Sequence, residues 1–81
     1  MSQFEKFKAR ILQDKVPVNV MPEELQKFML NYGFELKSKV GSHFTYKHHK
    51  IAYCVTIPMH KPIKFVYIKL VKKAIKDLEG I

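Results

Sequence analysis

The side chains best equipped for chemistry crowd into one part of the chain. All four histidines, His43, His48, His49 and His60, fall within eighteen residues, three of them in the stretch VGSHFTYKHHK from Val40 to Lys50. Two chemistries could use them: metal binding and proton transfer. A structural zinc site takes four convergent N or S ligands and a catalytic one takes three plus water. Partners for such a site are scarce, because Cys54 is the single cysteine and no Asp or Glu occurs between Lys37 and Lys76. His48 and His49 adjoin at a turn, which predicts rings pointing in different directions. Neither a metal nor another cofactor is expected. Cys54 lies in an apolar run, where a free thiol usually serves as a small buried hydrophobe, and nothing around it marks an activated nucleophile.

Proton transfer fits better. An imidazole titrates near neutral pH and exchanges a proton without help from a metal. Metal-free RNA cleavage, in which a 2′-hydroxyl attacks the adjacent phosphate, needs a proton acceptor, a proton donor and positive charge; one histidine and several lysines supply these. His43 follows a Gly41-Ser42 turn and opens a strand, a position that holds a side chain more firmly than a tail does. Spacing alone leaves open the alternative of a surface histidine without a task.

The charge points the same way. The net charge is +8 and the pI about 9.7. Residues 1–36 hold five Lys/Arg against five Asp/Glu, whereas residues 37–81 hold ten Lys against only Asp77 and Glu79. The whole excess thus lies with the histidines. Such localisation is the footprint of a polyanion binder, since neutralising phosphates releases counterions. A merely solubilising surface is the plainer reading.

These residues need elements to position them. Ser2 and Glu5 have capping-box spacing, and Phe4, Phe7, Ile11 and Leu12 recur at helical intervals, so a short amphipathic helix opens the chain. Pro17 with Val16, Val18 and Val20 predicts an extended connector that pairs briefly with another segment. Pro22 starts a second helix with Glu23 and Glu24 at its positive end, a core stripe of Leu25, Phe28, Met29 and Tyr32, and Gly33 as the stop. From Phe34 the period is two. Phe34, Leu36 and Val40 are expected inward and Glu35, Lys37 and Lys39 outward on a half-buried strand. After the Gly41 turn, Phe44 and Tyr46 face inward on a second strand while His43, Thr45 and Lys47 face outward. A turn at His48 to Lys50 leads to a third strand, Ile51, Tyr53, Val55 and Ile57 alternating with Ala52, Cys54 and Thr56, closed by Pro58. After the linker MHKPIK, the residues Val66, Tyr67, Leu70, Val71, Ala74, Ile75 and Leu78 mark a final amphipathic helix ending at Gly80, with Lys69, Lys72, Lys73 and Lys76 on its other face.

The expected fold is α+β: α-β-β-β-α, a three-stranded antiparallel sheet with helices on one face and the other face open, plus an extra N-terminal helix. This order looks like the fold of double-stranded-RNA-binding domains. A chain of 81 residues has room for one thin core. It divides into an N-terminal helix and connector, residues 1–21, and the α-β-β-β-α unit, residues 22–81.

The run NYGFELKSKVGSHFTYKH, followed by VTIPMHKP and a closing helix, VYIKLVKKAIKDLEGI, resembles the HicA (YcfA-like) mRNA interferase toxins. Gly33, Phe34, Gly41, Ser42, His43, Tyr46, Pro58 and His60 match that pattern, over about residues 22–81. The resemblance implies a toxin of a type II toxin-antitoxin system that cleaves mRNA without metal, and a HicB-type antitoxin that covers the site. It implies that the histidine of Gly-Ser-His, His43, is catalytic. With the outward lysines, it suggests an RNA-binding set of Lys37, Lys39, Ser42, Lys47 and His60, with His60 also a candidate second proton carrier.

Two other classes of function remain. One is a non-catalytic RNA-binding module using the same basic face; the other is a small interaction domain whose lysines serve only solubility. No membrane contact and no DNA contact by this chain alone is expected. The charged start, Glu5 with Lys6, Lys8 and Arg10, does not read as a leader peptide, and the longest charge-free run, Ile51 to Met59, is too short to span a bilayer. A cytoplasmic location follows as an expectation.

Overall fold

The computed structural model describes residues 2–15 and 17–81. Its elements are α1 (Gln3–Leu12), α2 (Pro22–Tyr32), β1 (Glu35–Val40), β2 (His43–Lys47), β3 (Cys54–Pro58) and α3 (Phe65–Glu79), in the α-α-β-β-β-α order expected of the α+β class.

Local sequence explains the helix ends. Ser2 Oγ accepts from Glu5 N–H at 3.1 Å, capping α1. At the start of α2, Met21 N–H donates to Glu24 Oε1 at 3.1 Å, and Pro22 occupies a first-turn position whose N–H would have no helical partner. Gly33 ends α2 at φ +108°, a conformation that side chains with a Cβ rarely adopt.

α1 buries Phe7 and Ile11 against the other two helices; removing side chains of this kind from water stabilises by about 1.5–3 kcal/mol each. Its rings Phe4 and Phe7 lie 5.1 and 4.9 Å from Phe28 of α2. Polar ties add to this: Lys8 pairs with Glu79 of α3, and Glu79 also accepts from the Tyr32 hydroxyl of α2. The connector does pair, through Val20 O accepting from Ile63 N–H at 2.8 Å. Pro17 and Val20 are buried and Val18 is exposed; Val16 lies outside the described residues.

The sheet is antiparallel in the order β1-β2-β3. Phe44 and Tyr46 of β2 pair with Ile57 and Val55 of β3 and face the helices, with Tyr46 and Ile57 fully buried. α3 covers β3 and α2 approaches β1.

Five expectations need correction. β1 is exposed along its whole length rather than half-buried. It is an edge strand with a bulge: Leu36 pairs with Tyr46, but Ser38 pairs with Thr45, so Lys37 is an extra residue. An inserted residue resets the alternation. Beyond it Lys39 lies opposite Phe44, on the helix side, and Val40 lies opposite His43, on the open side and 70% exposed.

β3 begins at Cys54, three residues later than expected. Ile51 is buried within the preceding turn, whereas the Tyr53 hydroxyl donates to Asp77 of α3. Cys54 is exposed, because in the register its partner is Lys47 on the open face. In α3 the inward residues are Ile68, Val71, Ala74 and Ile75; Val66 and Leu70, expected inside, face solvent.

Candidate functional site

The open face of the sheet is assembled by register. Directly opposed residues of an antiparallel pair share a face, and the pairs Val40–His43–Pro58, Ser38–Thr45–Thr56 and Glu35–Lys47–Cys54 therefore line the side away from the helices. His43 is the first residue of the central strand and has a neighbour on each side. The turn before it needs Gly41 for its backbone: φ is +59°, while a Cβ there would meet nothing within 4 Å. His43 is exposed, and among the described residues no side chain hydrogen-bonds its ring.

The same end of the sheet receives His60. Ser42 O accepts from Met59 N–H at 2.7 Å, and His60 N–H donates to Pro58 O at 3.0 Å. The Gly-Ser-His turn and the Pro-Met-His segment are thus fastened together by backbone, bringing Ser42, His43 and His60 to one edge. One step further along the same face, the hydroxyls of Thr45 and Thr56 lie 3.0 Å apart. Neither threonine was singled out by motif, although the outward phase of β2 and β3 contained the signal.

The three expected lysines are not gathered into one cluster. Lys37, in the bulge, lies 2.6 Å from the Glu35 carboxylate; that hydrogen bond raises the lysine pKa and lowers the glutamate's. Lys39 has crossed to the side of Phe44, with its ammonium 5.1 Å from the ring centroid. Lys47 is on the open face, but its ammonium donates to His48 O at 2.8 Å and to Ile51 O. It therefore fastens the β2–β3 turn, satisfying carbonyls that the turn leaves without ladder partners.

His48 is a core residue that sequence reasoning did not distinguish from its neighbours. It is 5% exposed, edge-on to Phe34 at 5.2 Å and to Tyr32 at 6.1 Å. Its Nδ1 accepts from Lys50 N–H at 3.1 Å, so the neutral ring carries its proton on Nε2. Burial pushes its pKa down, and the neighbouring His49 acts in the same direction. The two rings stack at 4.7 Å and 17°, contrary to the expectation that they diverge; the buried pocket fixes one ring and the exposed ring covers it. Among the described residues no group of three or more His, Cys, Asp or Glu is placed to hold a metal ion, and no helix is long and apolar enough to cross a membrane.

Fold and site together define a small basic α+β protein that presents a histidine, two hydroxyls and a Gly-Ser turn on an uncovered sheet face. Comparison with known families matches residues 22–79 to the HicA toxin of bacterial toxin-antitoxin systems, and the chain belongs to that family. It is accordingly a toxin-family protein with an antitoxin as the partner its family implies. No curated protein and no solved structure gives a match to the chain.

Proposed function

We propose that this toxin is a metal-independent mRNA endoribonuclease acting in the cytoplasm, with His43 as its proton-transfer residue, held inactive by a HicB-type antitoxin that covers the open sheet face. The observation that carries the reading is the position of His43: an exposed imidazole opening the central strand, held by a left-handed Gly41 turn and by neighbours on both sides, in a chain of this family. A side chain on a strand start so supported stays within the narrow geometry that proton transfer demands.

In this mechanism His43 takes the proton from a ribose 2′-hydroxyl as that oxygen bonds to the adjacent phosphorus. The bond from phosphorus to the 5′-oxygen breaks, and the leaving oxygen takes up a proton from His60 or water. The products carry a 2′,3′-cyclic phosphate and a 5′-hydroxyl, with no change of oxidation state and no metal. Ser42 contacts backbone beside the scissile phosphate, Lys37 in the bulge and Lys39 on the far side of the β1 edge meet only flanking backbone of the RNA, and Lys47 contributes its charge while holding the turn. The scarcity of acidic residues supports the metal-free form, since hard cations are held by oxygen ligands and no Asp or Glu occurs between Lys37 and Lys76.

The test is His43→Ala, assayed for cleavage of a structured mRNA fragment and for binding to it. A general acid/base group contributes roughly a hundredfold to ten-thousandfold in rate. The expected result is that this factor is lost from cleavage while RNA affinity and melting temperature stay close to those of the parent. A well-folded variant cleaving at the parental rate would leave RNA binding without catalysis as the function.

A further inference from the structure

The solvent side of α3 is more apolar than folding requires. Phe65, Val66 and Leu70 are 54%, 45% and 44% exposed. At spacings of one, four and five residues they lie together along the first two turns of the helix. Tyr53 extends the patch, because its ring sits 4.7 Å from the ammonium of Lys73. None of these side chains is spent on the core, which α3 completes with Ile68, Val71, Ala74 and Ile75 from its other side. Contiguous exposed apolar surface of this kind marks an interaction site more often than scattered single residues do.

The charges around the patch specify what covers it. Lys64 precedes the helix, Lys69 lies 5.2 Å from the Phe65 ring, and Lys76 follows one turn after Lys72 and Lys73. No described carboxylate lies within ion-pair distance of Lys64, Lys69 or Lys76. The only acidic residue on this side before Glu79 is Asp77, already engaged by Lys73 at 2.9 Å and by Tyr53. The positive end of a 15-residue helix adds to the field at Phe65 and Val66. An apolar centre inside a basic rim is complementary to an apolar centre inside an acidic rim. RNA fits less well: Phe65 and Tyr53 offer a base a stacking ring, but Val66 and Leu70 offer neither ring nor hydrogen bond, so RNA leaves much of the apolar patch unmatched.

We infer that the outward face of α3, centred on Phe65, Val66 and Leu70, docks an acidic amphipathic helix of a protein partner. The inward face of α3 packs on the sheet, so this surface points away from the open face that carries His43. A helix seated here leaves His43 uncovered, and the contact is a tether separate from any partner segment that blocks the site. The inference does not depend on whether His43 is catalytic.

The experiment uses the full chain and a fluorescent peptide about 14 residues long, roughly four helical turns, with leucines at i, i+3, i+4 and i+7 and glutamates on the flanks. The control peptide has lysines in place of the glutamates. Backbone amide shifts are mapped, and affinity is followed by anisotropy for the parent, Leu70→Asp, and the double variant Lys69→Glu with Lys76→Glu, each checked for an unchanged melting curve. The expected result is that only the acidic peptide binds, that the shifted amides lie in residues 64–77, and that each variant weakens binding roughly tenfold or more, the loss of a central contact or of its charged rim. Failure of the acidic peptide to bind at millimolar concentration, equal binding of both peptides, or displacement of the acidic peptide by oligouridine at the same amides would overturn it. RNA cleavage is read in none of these arms, so a failure here and a failure of the nuclease reading are separate events.

Discussion

Gly33→Ala probes the joint on which the site's supporting fold turns, where α2 hands over to the sheet. Two costs add. The first is backbone: φ is +108°, beyond the left-handed well that L-residues visit, and holding a side chain in such a region costs about 1–3 kcal/mol. The second is contact: an added Cβ would lie 3.1 Å from His48 Nε2 and 3.5 Å from its Cδ2. The ring has little room to withdraw, since Phe34 stands edge-on on one side, His49 stacks on it, and Lys50 N–H holds Nδ1. Displacing it forfeits a hydrogen bond worth about 0.5–1.5 kcal/mol. The sum is about 1.5–4.5 kcal/mol, which for a domain of this size lowers the melting temperature by about 6–36 °C. Thermal unfolding of four proteins completes the assay: parent, Gly33→Ala, His48→Ala and the double variant. Without the ring only the backbone cost remains, so the cycle returns a coupling of about 0.5–1.5 kcal/mol. A drop below about 4 °C for Gly33→Ala would refute the backbone reasoning, and strict additivity would refute the ring contact.

The buried His48 makes stability depend on pH. Its folded-state pKa lies below the ordinary value near 6.5, so the unfolded chain binds the proton first. The stabilisation is complete above about pH 6.5 and is lost as pH falls through the depressed folded value; melting temperatures between pH 7.5 and 5 should decline, and His48→Gln should flatten that slope. The carboxylates with lowered pKa, Glu23, Glu35, Asp77 and Glu79, lose their contributions further into acid and do not confuse this window. RNA cleavage should survive exhaustive chelation by EDTA, and complete loss restored by a stoichiometric divalent ion would sink the metal-free mechanism. Affinity for single-stranded RNA should fall by roughly 0.7 log unit per log unit of salt for each phosphate neutralised. Lys39→Ala should reduce that slope without changing sequence preference, whereas an unchanged slope would remove Lys39 from the RNA path.

The local features were legible because local physics decides them. Ser2 with Glu5, Pro22 with Glu24, and Gly33, Gly41 and Gly80 mark ends and turns through backbone donors and positive φ that involve only near neighbours. The strand phase of β2 follows from alternation, so Phe44 and Tyr46 inward and His43 and Thr45 outward come directly from residue order. The Gly-Ser-His run and the Pro-x-His spacing carried the family as a pattern.

What only the tertiary structure decided depends on which neighbour arrives. The bulge at Lys37 belongs to the pairing of β1 with β2; no property of ELKSKV alone places the extra residue, yet it moves Lys39 and Val40 to opposite faces from those that alternation assigns. The phase of α3 was misread at Val66 and Leu70 because a helix with apolar residues around most of its circumference leaves the choice of buried stripe to packing, and the sheet and α1 select Ile68, Val71, Ala74 and Ile75. Likewise, apart from the Gly-Ser and Pro-x-His patterns at His43 and His60, the four histidines look alike in sequence. Distance in the fold separates them: His48 meets Phe34, Tyr32 and the end of α2 and becomes core, while one backbone hydrogen bond from Met59 to Ser42 sets His43 and His60 at one end of an open sheet, seventeen residues apart in the chain.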